Sequence, residues 1–321
     1  MKRALLLTAL LALPAASHAA RQGGTPVALV TAETENQLIA IDLPSGRILK
    51  RLAMPADPEN VVAGTNTAVV VSARAGAVTV VGLPGLRVRR IIRGFASPHI
   101  VALSPRGGYA YVTDDARGQL VVIGLARARI VSRIFVGLGA HHMGFSPDGH
   151  RLWVALGERA SSITVVDVHR LARPRVIGHV DPRGLAHDLA FAPDGRTVWV
   201  TYDDRSSIAI FGASSGRRLR LLPTGSPPQH IAFGDQDWNA RYALLTSGND
   251  GTLRIMSSAT GRTLRTVRIP RGSFNLGLGG SLIVTASLTR GTLTELGYGG
   301  RRLLSKRVAP AARDAAIAVL P

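Results

Sequence analysis

Leu189-Ala190-Phe191, then Pro193-Asp194-Gly195, then Thr197-Val198-Trp199-Val200 is the stretch on which the reading of the fold turns. A short apolar run, a tight turn and a second apolar run rich in β-formers predict two antiparallel strands. Asp203-Asp204 and Ser206 mark the next turn and Ile208 to Phe211 a third strand. Ser215-Gly216 then leads into a fourth at Arg218 to Leu222. The third-strand pattern recurs along the chain, with starts at Leu38, Val78, Leu120, Ile163, Ile208, Leu253 and Leu293, a period of 40–45 residues. Seven four-stranded units of that size predict an all-β fold: a seven-bladed β-propeller of four-stranded antiparallel blades.

The ends of the chain fit a closed ring. Val27-Ala28-Leu29-Val30 matches a second strand with no first strand before it. Ala316-Ile317-Ala318-Val319-Leu320 looks like a first strand with nothing after it. Pairing the C-terminal strand into the N-terminal blade would close the ring and hide two sheet edges.

Upstream of the repeats, Met1-Lys2-Arg3, the apolar Ala4–Leu13 and the small residues around Ser17-His18-Ala19 read as a secretory signal peptide over residues 1–19. Residues 20–321 then form a single propeller domain, expected in the periplasm or outside the cell and without a transmembrane span. The chain has no cysteine, which excludes disulfides, thiolate metal sites and thiol nucleophiles. His-Glu-x-x-His, Gly-x-Ser-x-Gly and phosphate-loop motifs are absent. Asn275-Leu276-Gly277-Leu278-Gly279-Gly280 is glycine-rich, but no helix follows, so strand packing accounts for it.

In a four-stranded blade, the loop into the first strand and the loop between the second and third strands open on one face. His99, His141 and His187 share a position there, six residues before Pro105, Pro147 and Pro193. His142, Asp188 and His230 align one residue later, with Asn60 and Asn275 near equivalent places and Gln229 beside His230. The facing loops add carboxylates, among them Asp114, Asp115, Glu158, Asp203 and Asp204. The expected ligand-binding cluster is therefore His99, His141, His142, His187, Asp188 and His230 with Asp114, Glu158 and Asp203. Within it, His99, His141, His187 and His230 are candidate ligands for a transition metal, Zn, Cu or Fe. A His beside a carboxylate could instead act as a general base, or simply cap free backbone groups in a wet channel.

Ser104-Pro105-Arg106-Gly107 followed by Tyr111-Val112-Thr113-Asp114 resembles the YVTN-repeat propellers, relatives of the cytochrome d1-type propeller. Ser146-Pro147-Asp148-Gly149 with Trp153-Val154-Ala155, and Ala192-Pro193-Asp194-Gly195 with Trp199-Val200-Thr201, repeat the likeness. It is specific in blades three to five, and blades two, six and seven lack the Pro-Asp-Gly turn. The resemblance implies seven blades but no single activity. A fainter similarity, to streptogramin lyases, rests on architecture and the Pro98-His99-Ile100 type of strand start.

The chain carries 39 Lys+Arg against 20 Asp+Glu, and its lysines are Lys2, Lys50 and Lys306. Arginines cluster at Arg87-Arg89-Arg90, Arg217-Arg218-Arg220, Arg262-Arg265-Arg268 and Arg301-Arg302, on or beside fourth strands. Such a rim attracts anionic cell-surface polymers. Nucleic acid is disfavoured as a partner, because few aromatics are available for stacking near these clusters. The leading function is a monomeric binding scaffold taking a small ligand or protein partner at the histidine-lined mouth. The alternatives are a metal- or cofactor-dependent oxidoreductase or lyase using the same cluster, and an electrostatic adaptor to polyanions.

Overall fold

The computed structural model describes residues 24–157, 159–202, 204–234 and 239–321. The expected signal peptide lies outside the described residues, as do Glu158 and Asp203. Among the described residues, the strands form seven four-stranded antiparallel sheets. Blade one takes its innermost strand from the C-terminus: Ala312–Leu320 pairs with Thr25–Ala32, with Ala28 opposite Ile317. The closing strand begins four residues earlier than the apolar run suggested. Blades two to seven follow in chain order, from Pro58–Ala63 to Arg302–Arg307. No helix among the described residues is long and apolar enough to cross a membrane.

Second and third strands are buried on both faces because each blade is sandwiched between two others, so these strands are continuous apolar runs. Thr67–Ser72 and Ala77–Gly82 of blade two are buried along nearly their whole length. One aromatic contact recurs between blades. Tyr111, Trp153 and Trp199 occupy the same strand position, and each packs edge-on against the next blade's first strand. The partners are Phe145 at 5.1 Å, Phe191 at 5.7 Å and Phe233 at 5.3 Å. Such pairs add roughly 0.5–1.5 kcal/mol each beyond their buried area. Fourth strands face solvent, and Arg87–Arg93 and Arg218–Pro223 carry exposed arginines as expected.

Blade seven solves its packing with glycine. A Cβ on Gly277 would fall 2.2 Å from the Ala315 carbonyl oxygen, and one on Gly279 would fall 2.9 Å from the Ile317 side chain. The glycine-rich stretch thus lets blade seven lie against the closing strand. Gly277→Ala is expected to loosen this closure and destabilise the protein by about 1–3 kcal/mol, as overpacking does, which urea unfolding would register.

Candidate functional site

The threonine of the Tyr-Val-Thr and Trp-Val-Thr segments places the channel residues. Its hydroxyl accepts the backbone N–H of the residue opposite on the first strand: Thr31 from Asp314 at 3.0 Å, Thr113 from Ile100 at 3.1 Å, Thr201 from Asp188 at 3.0 Å and Thr246 from His230 at 3.2 Å. The Thr201 hydroxyl also donates to the Gln229 carbonyl of the next blade. These pins set Ile100, Asp188, His230 and Asp314 at one level, and strand register brings Asn60, opposite Val71, and His142, opposite Ala155, to the same lower ring. In blade seven, Gly277 pairs with Val284, so Leu276 rather than Asn275 falls opposite Thr285. The preceding residues make an upper ring that includes Glu59, His99, His141, His187, Gln229 and Arg313.

Part of the lower ring staples neighbouring blades together. The Asp314 carboxylate accepts from Val61 N at 3.0 Å and from the Asn60 side-chain amide at 2.7 Å. Asn60 Oδ1 accepts from Val101 N at 2.9 Å, and Asp188 Oδ2 from Ile231 N at 2.9 Å. Buried backbone donators of this kind need a partner, so Asn and Asp here serve the ring as well as the channel.

Histidines of both rings gather around a cavity of about 690 Å³. The His99 and His141 rings stack with centroids 4.0 Å apart, and His142 lies edge-on to His141 at 5.0 Å. His187 is 5.0 Å from both His141 and His142. His99, His141 and His142 each offer one ligand atom within 4.8 Å of the others, and His142, Asp188 and His230 form a second such group. The candidate set His99, His141, His187 and His230 is thereby regrouped. His142 joins His99 and His141, while His230 turns to Asp188 at 2.6 Å.

Each of the three grouped histidines presents Nδ1 to a carboxylate. The contacts are His99 to Glu59 at 3.3 Å, His141 to Asp115 at 3.9 Å and His142 to Asp188 at 3.1 Å. At 3.3 and 3.1 Å a carboxylate fixes the His99 and His142 rings and leaves Nε2 as the nitrogen available to a ligand, whereas Asp115 stands beyond hydrogen-bond reach of His141 and acts on it by charge alone. Burial, reinforced by the surrounding imidazoles, holds His141 well below the ordinary histidine range. Burial likewise draws His142 down to about 4, against the opposing pull of Asp188. Both rings are therefore neutral near pH 7, the state a metal requires.

Deeper in the channel the balance reverses. Burial penalises the Asp188 charge, but His142 and His230 outweigh it and hold the carboxyl well below its usual range. Burial also acts against a charged His230, yet Asp188 overcomes it and raises the imidazole. Burial raises the Asp314 carboxyl despite its hydrogen bonds. The throat thus holds an Asp188–His230 ion pair next to the neutral rings of His141 and His142.

Asp114 does not line the cavity. It is fully buried and accepts from Ala96 N at 3.0 Å and Ser97 N at 2.9 Å, holding the loop into blade three. Side chains alternate along a strand, so the residue after Thr113 turns away from the channel. Its neighbour Asp115 reaches the mouth instead. Sequence reasoning did not single out Glu59, Arg313 and Asp314. The available signal was positional: Asp314-Ala315-Ala316 occupies on the closing strand the place of Asp188-Leu189-Ala190 in blade five.

No protein-family model matches the sequence, and no curated protein sequence matches it. Solved structures do share the fold. A functionally unknown protein from Desulfotomaculum acetoxidans superposes with a TM-score of 0.80 at 14% identity, covering 92% of this chain and 99% of that one. Apo AztD from Citrobacter koseri gives 0.72 at 11% identity, over 92% and 98% of the two chains. Kuenenia stuttgartiensis hydrazine synthase gives 0.66 at 17% identity, over 84% and 91%. At these identities the similarity is one of fold, and the seven-bladed architecture is common ground.

Proposed function

We propose that this chain is an exported binding propeller, of YVTN type, whose ligand at the channel mouth is a divalent transition-metal ion. One observation carries the reading: three clustered histidines, His99, His141 and His142, each have Nδ1 set against a carboxylate. Carboxylate-backed imidazoles are the usual surroundings of a histidine-bound metal, whereas a histidine that merely caps backbone has no need of one. An all-nitrogen set without thiolates suits Zn²⁺ or Cu²⁺ better than a soft ion. The signal-like N-terminus supports export, to the periplasm or beyond the cell.

Titration of the metal-free protein with Zn²⁺ against a chromophoric chelator tests this. About one tight equivalent per chain is expected, and no competition with the chelator would reject the reading. Binding should also persist at mildly acidic pH. An unperturbed imidazole protonates near 6.5, but His142 does so only near 4. Proton competition at that ligand accordingly sets in below the ordinary histidine range. Zn²⁺ titrations between pH 7 and pH 5 check this; a full loss of affinity centred on 6.5 would contradict it.

A second reading is a metal-dependent enzyme. The cavity is larger than an ion needs, and Arg313 and Phe274 line it beside the histidines. Three nitrogen ligands leave a fourth position open for water or substrate. Turnover by the zinc-loaded protein, lost in His142→Ala, would favour catalysis over binding.

A further inference from the structure

Arg254 lies on the third strand of blade six, Thr252–Ser257, and is only 9% exposed. Its guanidinium donates to three hydroxyls: Ser226 Oγ at 2.7 Å, Ser247 Oγ at 2.9 Å and Thr252 Oγ1 at 3.4 Å. Among the described residues it forms no ion pair with a carboxylate. Buried charges in proteins are normally paired, because removing a guanidinium from water without a counter-charge is costly. Burial accordingly pulls the Arg254 pKa down.

A cavity of about 430 Å³ opens directly at this group. Ser226 and Thr252 line it with hydroxyls, and Arg268 and Arg271 add two more guanidinia. Gly225 lines the space over Arg254 with φ +75°, its Cβ position 3.7 Å from Arg254 Nη2, an ordinary contact distance. The cavity shares no lining residue with the histidine mouth. Asp250 also lines it and exerts an attraction on Arg254 without reaching ion-pair distance. Three guanidinia over a floor of hydroxyls match the acceptors of a tetrahedral oxyanion, which forked N–H donors bind well.

We propose that this pocket at the upper edge of blade six is a phosphate site, taking the free anion or the end group of a phosphomonoester, with Arg254 as its buried anchor. Arg268 and Arg271 are exposed and supply the remaining charge. The site is independent of the metal reading.

Calorimetric titration of the metal-free protein with inorganic phosphate, at ionic strength matched with chloride, tests the assignment. One binding event per chain is expected, weakened about tenfold or more in Arg268→Ala/Arg271→Ala. That variant should keep the parent's unfolding temperature when phosphate is absent, since both side chains are exposed. Asp250→Asn should bind phosphate more tightly, because a like charge leaves the pocket. Phenyl phosphate distinguishes the two sources: comparable binding identifies an ester end group as the ligand, and binding of inorganic phosphate alone identifies the free ion. No heat beyond the chloride control would overturn the proposal. So would affinity untouched by the double arginine variant, or phosphate binding that arises only in a destabilised Asp250→Asn, which would make Asp250 the native counter-ion.

Discussion

Replacing His142 by alanine is expected to weaken Zn²⁺ binding by about 100-fold or more while leaving the propeller folded. His142 belongs to both ligand-competent groups in the channel, so its loss dismantles each of them. Removing a carboxylate behind a ligating histidine typically costs roughly 10–100-fold in affinity, and removing the ligand itself costs at least as much. The fold should tolerate the change. Asp188 keeps His230 at 2.6 Å and accepts Leu189 N at 2.7 Å and Ile231 N at 2.9 Å without His142. The shortened side chain faces the channel cavities rather than a packed core. Chelator competition reads the affinity and urea unfolding the stability. Unchanged affinity in a folded variant would remove the triplet from the account.

Asp188→Ala should be the most destabilising single change at the site, by about 3–5 kcal/mol, the range for breaking a buried charge pair. The substitution strips Ile231 N–H of its inter-blade acceptor and leaves the partly buried His230 without its counter-charge. Asp188→Asn keeps the shape but puts an amide N–H where one acceptor stood, and should cost less, about 1–3 kcal/mol. The pH dependence follows from the two shifts. Asp188 is depressed in the fold, so its contribution is present above its unfolded value of 3.8 and is lost as pH falls through the folded value. His230 is raised, so its contribution is complete below 6.5 and is lost as pH rises through the folded value. The gap between parent and Asp188→Ala should therefore be widest between about pH 4 and 6.5. Urea unfolding at stepped pH measures it, and a gap that does not vary with pH would mean that the staple, not the charge, is what matters. Asp188→Ala should also weaken Zn²⁺ through His142, by roughly 10–100-fold.

The fold was legible wherever local chemistry and global architecture agreed. Pro193-Asp194-Gly195 makes its turn, and Trp199 lands between two blades where a large side chain is needed. The closing strand was visible because an unpaired strand at each end has one economical use. Much of the site was legible too, since a fixed count back from the turn proline brings His99, His141 and His187 to one level of the channel. What escaped did so for physical reasons. Asp314 lies in an alanine-rich strand with no turn proline to count from, so its likeness to Asp188 is faint in the sequence, and the pairing of Thr31 with Asp314 N makes its level plain. Glu59 follows Pro58 in a blade without the Pro-Asp-Gly turn. Asp114 and Asp115 are adjacent in sequence, but Asp114 ends the strand and turns to the loop while Asp115 opens the 3-10 turn Asp115–Arg117 and reaches the mouth. The regrouping of His142 with His99 and His141 depends on ring orientations that spacing alone does not encode.

The most direct measurement of the central claim is zinc K-edge X-ray absorption of the protein loaded with one equivalent of Zn²⁺. It should be recorded beside His99→Ala/His141→Ala and beside a lower-face control, His150→Ala/His169→Ala. The control matters because those two rings also approach, with Nδ1 atoms 3.0 Å apart. About three imidazole nitrogens at roughly 2.0–2.1 Å are expected in the parent. That signature should be intact in the lower-face variant and lost in the mouth variant. A parent spectrum without imidazole scattering, or one that survives loss of His99 and His141 and vanishes with His150 and His169, would contradict it.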